Sequence, residues 1–370
     1  MDDGWIPPDA TSFTRGLIKA FGCESVNDVA NLFATAAEAE ESFNWLQGGA
    51  EAMPHSLGGM EAMPSSLDQY VFSEVFKRGY ATLWPRQRLI DKVEGMRDRC
   101  LEENRCFPGT ASKLEGCLNF LSSGMYGRVG RGGMPAIRAR AHSKFSTAAL
   151  TPRLEQFFHY LPLLLKATME REFPVRPRCS TPLVVATDAS AEPGSPAGLG
   201  ALCIGPASGA RFGYVAQLAD VRAMGWQECE NPICIAEAAA PLFTLLASLE
   251  TFAGRDVVWY VDNTPAVCSY VKGSASSLDI ERAVHVFYLI RALIKCRIWW
   301  EWVESDANWS DGVSRLGLGD PFARRHGFSL STFVCPSWPW RLPLQEVFHR
   351  VVALCEQVYS DGGGSDVGQG

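Results

Sequence analysis

The stretch Leu183-Val-Val-Ala-Thr-Asp-Ala-Ser190 decides how the second half of this chain is expected to fold. The run from Leu183 to Thr187 predicts a buried β-strand, and Asp188 follows it immediately. A single carboxylate at the end of an apolar strand is costly unless it is solvated, paired or bound to a metal. Asp188 is therefore the first candidate for a functional residue.

The segments that follow extend this strand into a mixed sheet. Short strands are predicted at 199–204 and 211–215, and Gly205-Pro-Ala-Ser-Gly209 between them is a hairpin signal. The remaining predicted elements are a helix over 235–252, a strand over 257–261, a helix over 277–295 and a strand over 298–303. This order predicts an α/β fold, with helices flanking a mixed five-stranded sheet.

Three further acids occupy comparable places in the pattern. Glu237 lies in the first turns of the predicted helix, Asp262 ends the fourth strand, and Asp311 follows the last strand after a short loop. Strand ends bring side chains from distant parts of a sequence to one point, and carboxylate oxygens suit Mg²⁺. Any one of these acids could be only a cap or turn residue. Together with Asp188 they predict a shared site for two Mg²⁺ ions, with Mn²⁺ as a substitute.

The motifs around the four acids resemble ribonuclease H over residues 182–316. The matching segments are Thr187-Asp-Ala-Ser190, Gly198-Leu-Gly-Ala201, Ala236-Glu-Ala238, Tyr260-Val-Asp-Asn263 and Asn308-x-x-Asp311-x-x-Ser314-Arg315. The last of these is the most specific and resembles the end of the ribonuclease H domains in retrotransposon reverse transcriptases. The resemblance implies an endonuclease that cuts the RNA strand of RNA–DNA hybrids. Its catalytic metal ligands would be Asp188, Glu237, Asp262 and Asp311.

Residues 85–175 are predicted to be mostly helical, because apolar residues recur there at helical spacing. The segment Ser112-Lys-Leu-Glu-Gly-Cys-Leu-Asn-Phe-Leu121, with Gly127-Arg128 after it, resembles the thumb and connection region that precedes such domains. A complete polymerase palm motif is not present. The resemblance implies the ribonuclease H part of a retroelement reverse transcriptase, with the polymerase part of the same element as a partner.

A basic segment lies between Glu115 and Glu155, where the sequence contains no acidic residue. The formal net charge of −7 argues mildly against a nucleic-acid partner. Uneven placement of charges can nevertheless create a local basic surface. Five side chains are predicted to contact nucleic-acid phosphates: Arg128, Arg131, Arg138, Arg140 and Lys144. A solvated loop with scattered arginines is an equally weighted alternative.

The other segments complete the predicted organisation. They are a helical segment at 1–47, a linker with a duplicated decapeptide at 48–84, a C-terminal extension at 317–359 and a disordered tail at 360–370. No signal peptide or membrane span is visible, and the twelve cysteines form no C-x-x-C pair. These features predict an intracellular protein without a membrane partner.

Two other functions stay open from the sequence. The loop Glu304-Ser-Asp-Ala-Asn-Trp309 lacks the His that many ribonuclease H enzymes carry before the fourth acid. This absence weakens the expectation of activity. The incomplete polymerase palm and the duplicated linker favour the main alternative, a catalytically inactive nucleic-acid-binding remnant of a retroelement polyprotein. An integrase-like strand-transfer domain is the other, and Glu237 on the first helix argues against it. Core packing is favoured over base stacking for Trp299, Trp300, Trp302 and Trp309. His285 is expected to be structural or on the surface.

Overall fold

The structure is a computed structural model, and it describes most of the chain from Tyr70 onward. The described residues are 70–72, 80–85, 87–124, 131, 133–143, 148–168, 171–174, 181–191, 196–206, 209–218, 222–227 and 232–361. The predicted helical segment 1–47, the decapeptide duplication and most of the tail 360–370 lie outside these residues.

The upstream region, residues 70–174, combines helices with a small antiparallel sheet. Its strands are β1 (Tyr70–Phe72), β2 (Tyr80–Pro85) and β3 (Arg171–Pro174), paired in the order β1-β2-β3. Its helices are α1 (Gln87–Glu102), α2 (Pro108–Gly124), α3 (Met134–Ala141) and α4 (Pro152–Thr168). The predicted linker 48–84 therefore contains β1 and most of β2.

The helices of the upstream region form because their apolar residues fall on one face. In α1 the buried residues are Leu89, Ile90, Val93, Met96 and Cys100. This spacing of three and four residues places them along a single stripe, which packs against the neighbouring helices. The same periodicity predicts these helices from the sequence.

The larger sheet is built from six strands. They are β4 (Leu183–Ser190), β5 (Ala197–Ile204), β6 (Arg211–Leu218), β7 (Asp256–Val261), β8 (Arg297–Trp302) and β9 (Ser329–Thr332). Their order across the sheet is β8-β7-β4-β5-β6-β9. Neighbours β4, β5 and β6 are antiparallel, whereas β7 is parallel to both β4 and β8. The prediction of a mixed sheet with flanking helices is confirmed.

The prediction of five strands was wrong by one, because β9 adds a sixth strand. It pairs in parallel with β6, with Phe212 opposite Ser329 and Val215 opposite Thr332. The sequence Ser329-Leu-Ser-Thr332 contains one apolar residue, and its other three residues are polar and exposed. It therefore carries no alternating pattern that would predict a strand. It pairs with the free edge of β6, and its partly buried Leu330 packs beside Leu202 and Val215.

The helices that pack around the larger sheet complete the fold. They are α5 (Ile233–Ala247), α6 (Leu249–Phe252), α7 (Thr264–Lys272), α8 (Leu278–Leu293), α9 (Asp311–Leu316), α10 (Pro321–Arg325), α11 (Trp338–Arg341) and α12 (Leu344–Asp361). On one face α5 packs on β4 and on α8, around the fully buried Trp259 and Phe287. The other face carries α9, with Leu202, Val215, Val313 and Ala323 forming a second, smaller core.

The upstream region and the larger sheet share one hydrophobic core. Helix α4 contacts α8 and α12, and the ring of Tyr160 packs edge-on against Phe348 at 6.0 Å. The predicted C-terminal extension 317–359 contributes α12 to this packing and β9 to the larger sheet. None of the described helices combines the length and the apolar character that a membrane crossing requires.

Candidate metal centre

The register of β4 brings Asp188 next to the end of β7. Thr187 pairs with Val261, so Asp188 and Asp262 lie side by side at the carboxyl ends of two parallel strands. Asp188 is within β4 and not after it, because the strand continues to Ser190 opposite Gly198. Asp262 directly follows β7, as predicted from the sequence.

Glu237 reaches the same place from the helix that covers the sheet. Helix α5 begins at Ile233, and Glu237 lies one turn into it, where the helix packs on β4. The backbone N–H of Ala189 donates a hydrogen bond to the Glu237 carboxylate. This contact joins the start of α5 to the end of β4.

The three carboxylates form a tight cluster, called the acid cluster below: Asp188, Glu237 and Asp262. One oxygen of each lies within 4.8 Å of the others. Asp188 is 3% exposed and Glu237 is 7% exposed. Oε2 of Glu237 and Oδ1 of Asp262 are buried, and neither has a hydrogen-bond partner in the described part of the chain. Two buried acceptor atoms without a donor, pointing into a group of acids, fit a cation that the acids would share.

Burial and mutual repulsion both act on the acid cluster. Burial raises the pKa of Asp188 to about 7, the charges of Asp262 and Asp311 add to this rise, and a hydrogen bond from Ser314 opposes it. Burial likewise raises the pKa of Glu237 to about 9, and the charges of Asp188 and Asp262 contribute. A divalent cation would remove this repulsion, and its binding would release the protons that these acids hold.

The segment from Asn308 to Leu316 is held tightly against the end of β4. The side-chain amide of Asn308 donates to the carbonyl of Thr187 at 3.2 Å, and the hydroxyl of Ser314 donates to Oδ2 of Asp188. The glycines of β5 allow this approach. A Cβ at Gly198 would lie 1.9 Å from the carbonyl oxygen of Ser314, and one at Gly200 would lie 2.5 Å from its nitrogen.

Asp311 lies beside the acid cluster rather than within it. Its charge raises the pKa of Asp188 and of Glu237, so it is close enough to interact with both. Among the described residues, however, only the other three predicted acids bring oxygens within 4.8 Å of one another. The Asp311 carboxylate accepts a hydrogen bond of 2.9 Å from Arg315, one turn later in α9.

The predicted phosphate-contacting side chains are only partly described, since Arg128 and Lys144 lie outside the described residues. Arg131 donates to the carbonyl of Lys272 at 2.9 Å, and Arg138 forms an exposed ion pair with Glu115 at 2.8 Å. Arg140 is buried and donates to the carbonyl of Ala149. Its guanidinium therefore faces the protein and not a surface that could contact phosphates.

Four tryptophans lie on the edge strand β8 or shortly after it. Trp300 stacks on Tyr270 at 4.3 Å, and Trp309 packs near Tyr260 at 6.1 Å, in line with the expected core packing. Trp299 and Trp302 differ from that expectation, since they are 56% and 50% exposed. The indole N–H of Trp302 donates to the carbonyl of Asp262 at 2.9 Å, which places a half-exposed ring directly beside the cluster.

Asn308, Ser314 and Arg315 belong to the motif after the last predicted strand, but the sequence predicted no role at the site for any of them. The structure shows that Ser314 holds Asp188, Arg315 pairs with Asp311, and Asn308 fastens the segment to β4. The spacing of Asp311, Ser314 and Arg315 by three and four residues was the available signal, because it places them on one helical face.

Comparison with known proteins gives little beyond this geometry. No protein-family model matches the chain, and no curated protein matches it. Among solved structures, the chain is similar to the N-terminal ribonuclease H domain of a Mycobacterium tuberculosis protein, solved as a fusion with maltose-binding protein. The match covers 40% of this chain and 99% of that chain, at 18% identity and a TM-score of 0.29. A TM-score this low supports no inference about function.

Proposed function

We propose that this chain is a metal-dependent nuclease of the ribonuclease H type. The observation that carries the proposal is the acid cluster, with Asp188 and Asp262 on adjacent parallel strands and Glu237 on the covering helix. Two of its buried oxygens have no donor among the described residues, and the charges that act on Glu237 are those of other acids. Such a site is unfavourable in the free protein and becomes favourable once a cation is bound.

The donor set selects the kind of cation. All three side chains offer carboxylate oxygens, and hard oxygen ligands are those preferred by Mg²⁺ and Mn²⁺. Asp188, Glu237 and Asp262 would hold one ion, and Asp311, close by on α9, would help to hold a second. Bound there, a pair of ions would activate a water molecule and stabilise the departing oxygen of a phosphodiester.

The chain's own residues would position this chemistry. Ser314 donates to Oδ2 of Asp188, which restrains the rotation of that carboxylate. Asn308 keeps the loop before α9 against β4, so that Asp311 and Arg315 stay beside the acids. Arg315 would add a positive charge next to the scissile phosphate.

The substrate in this proposal is the RNA strand of an RNA–DNA hybrid. The sequence resemblance to the ribonuclease H domains of retroelement reverse transcriptases supports this choice, with the polymerase part of the same element as a partner. The half-exposed Trp302 offers a stacking surface beside the cluster, and the exposed Arg138 offers a charge for phosphates. Recognition would depend on the shape of the hybrid and on 2′-hydroxyl contacts rather than on base sequence.

A catalytically inactive nucleic-acid-binding remnant is the second candidate. The position of Asp311 favours it, because this acid lies outside the tight cluster and its carboxylate is paired with Arg315. A site with three clustered acids could still bind one ion without supporting turnover.

Cleavage of a labelled RNA–DNA hybrid in Mg²⁺ tests the proposal. We expect the parent chain to cut the RNA strand and the Asp262→Asn variant to lose this activity. The Asp306→Asn variant is the matched control, since Asp306 is an exposed acid in the loop before α9. Hybrid binding without cleavage by the parent chain would support the remnant. Equal cleavage by both variants and the parent would rule out the acid cluster as the active site.

A further inference from the structure

A second group of buried polar side chains surrounds a cavity at the start of α8. The cavity has a volume of about 540 Å³ and shares no lining residue with the acid cluster. Its described walls come from α3, α4, the segment 222–227, the first two turns of α8 and the segment 340–344. This volume lies in the range of sites that bind small organic molecules.

His285 is the most unusual residue of this cavity wall. It is 4% exposed, and in the described part of the chain neither of its ring nitrogens has a hydrogen-bond partner. Its ring packs edge-on against Tyr160 at 5.0 Å. Burial, together with the charge of Arg282, lowers the pKa of His285 to about 3. The neutral ring has one N–H donor and one acceptor, and leaving both unused is costly.

Glu281 lies one turn before His285 on the same face of α8. One of its oxygens, Oε2, pairs with Arg153, whereas Oε1 is buried and has no partner among the described residues. Side chains four residues apart on a helix have Cβ atoms about 5–6 Å from each other. Glu281 and His285 therefore carry an unused acceptor and an unused donor on the face of α8 that lines the cavity, and rotation of these side chains would expose both groups to a ligand.

Flat aromatic side chains form another part of the lining. Phe157 comes from α4, and Trp340 comes from α11, where its indole N–H donates to the carbonyl of Asp279 at 3.0 Å. Arg282 donates to the carbonyls of Pro339 and Leu342 and so fixes the segment that carries Trp340. A planar ring could lie against these side chains while its edge met His285 and Glu281.

The charges around the cavity favour an anionic ligand. Three arginines line it, Arg153, Arg282 and Arg341, against the two acids Asp279 and Glu281. The side chain of Arg153 is 46% exposed and Arg341 is also exposed, so both lie towards solvent. Arginine is well suited to binding phosphate oxygens in a planar, two-point geometry.

We propose that this cavity binds a nucleotide whose base carries an amino group beside a ring nitrogen, as adenine does. Oε1 of Glu281 accepts a hydrogen bond from the amino group, and His285 donates to the ring nitrogen. The phosphate lies at the arginines of the rim. The site is distinct from the proposed nuclease site and does not depend on the nuclease activity.

Isothermal titration of the full chain with AMP and with IMP, in EDTA, tests the proposal. EDTA keeps cations away from the acid cluster, so that a metal–nucleotide complex cannot bind there. IMP is the matched ligand, because it has an oxygen in place of the amino group of AMP. We expect saturable binding of AMP and at least tenfold weaker binding of IMP and of inorganic phosphate. No saturable AMP binding, equal affinity for AMP and IMP, or equal affinity for phosphate would each overturn the proposal.

The His285→Phe variant locates the site. Phenylalanine keeps the packing against Tyr160 and removes both ring nitrogens, so we expect AMP affinity to fall at least tenfold while Tm stays the same or rises. His159→Phe is the control, since His159 is exposed on α4 outside the cavity. Unchanged AMP affinity in a folded His285→Phe variant would overturn the assignment. If that variant fails to fold, the comparison of AMP with IMP on the parent chain decides.

Discussion

Two buried glutamates in this molecule meet opposite surroundings. Burial raises the pKa of both, but the neighbours of Glu237 are acids whose charges raise its pKa further. The neighbour of Glu281 is Arg153, whose charge and hydrogen bond oppose the rise, leaving a pKa of about 7. Arg153 supplies a charge partner for Glu281, whereas the charges that act on Glu237 are those of other acids. We therefore assign the cation site to Glu237 and not to Glu281.

The largest expected effect comes from neutralising Glu237, the glutamate whose neighbours are acids. The Glu237→Gln variant should lose about a thousandfold in hybrid cleavage, because a metal ligand contributes several kcal/mol to the transition state. Its Tm without metal should rise, and more at pH 8 than at pH 5. The folded protein keeps Glu237 protonated below its pKa of about 9, whereas the unfolded chain ionises it near its ordinary pKa, so the folding penalty that the variant removes grows with pH. Single-turnover cleavage and thermal melts measure the two effects.

Glu250→Gln is the control for this prediction, because Glu250 is an exposed glutamate on the short helix α6. It should leave cleavage and Tm unchanged. A Glu237→Gln variant with full activity, or with a lower Tm in EDTA, would contradict the contrast between the two glutamates.

Removing the hydroxyl that holds Asp188 should produce the next largest effect. In Ser314→Ala the carboxylate of Asp188 loses its buried donor and its fixed orientation. Groups that orient a metal ligand typically contribute 10- to 100-fold to metal affinity, so we expect a loss of about that size for Mn²⁺. Calorimetric titration with Mn²⁺ measures it. The exposed Ser305 provides the control variant Ser305→Ala, and equal Mn²⁺ affinity in both would show that Ser314 does not position the site.

Breaking the ion pair between Arg153 and Glu281 should lower the free energy of unfolding. Arg153→Gln leaves the carboxylate of Glu281 buried without its cation, which should lower the free energy of unfolding by about 1–3 kcal/mol at pH 8. The loss should shrink towards pH 5, because the pKa of Glu281 is about 7 and the acid is then protonated. Denaturant unfolding at both pH values measures it. Arg325→Gln, at an exposed arginine on α10, should be neutral; a loss independent of pH would argue against the ion pair as its cause.

The smallest expected effect is a gain of stability within the acid cluster. Without metal, Asp262→Asn removes one of the like charges that face Asp188 and Glu237, so the free energy of unfolding should increase by about 1 kcal/mol. Added Mg²⁺ should then raise the Tm of the parent chain but not of the variant. Chemical unfolding in EDTA and melts with Mg²⁺ measure this; a less stable variant in EDTA would mean that the carboxylate is already compensated.

Three of the four predicted acids could be placed from the sequence because their positions follow from local pattern. Asp188 and Asp262 end apolar runs that become adjacent parallel strands, and Glu237 lies one turn into an apolar helix. Asp311 was harder to place, since its position depends on how α9 packs against the glycines of β5 and on its pairing with Arg315. The contacts of α9 with β5 join segments that are more than one hundred residues apart.

Other features could not be predicted because no local pattern encodes them. Strand β9 has exposed serines and a threonine, so no alternating pattern marks it, and it pairs with the free edge of β6. The exposure of Trp302 follows from its place at the end of the edge strand β8, which periodicity cannot identify. The cavity at His285 is assembled from helices and loops of both regions, so a mid-helix His gave no sign of it.

Anomalous scattering from a crystal grown with Mn²⁺ tests the central claim most directly. We predict a strong anomalous peak from an ion coordinated by carboxylate oxygens of Asp188, Glu237 and Asp262. No peak is expected at Glu281 beside Arg153. A crystal in which Mn²⁺ binds elsewhere, with the acid cluster ordered and metal-free, would contradict the assignment of this site.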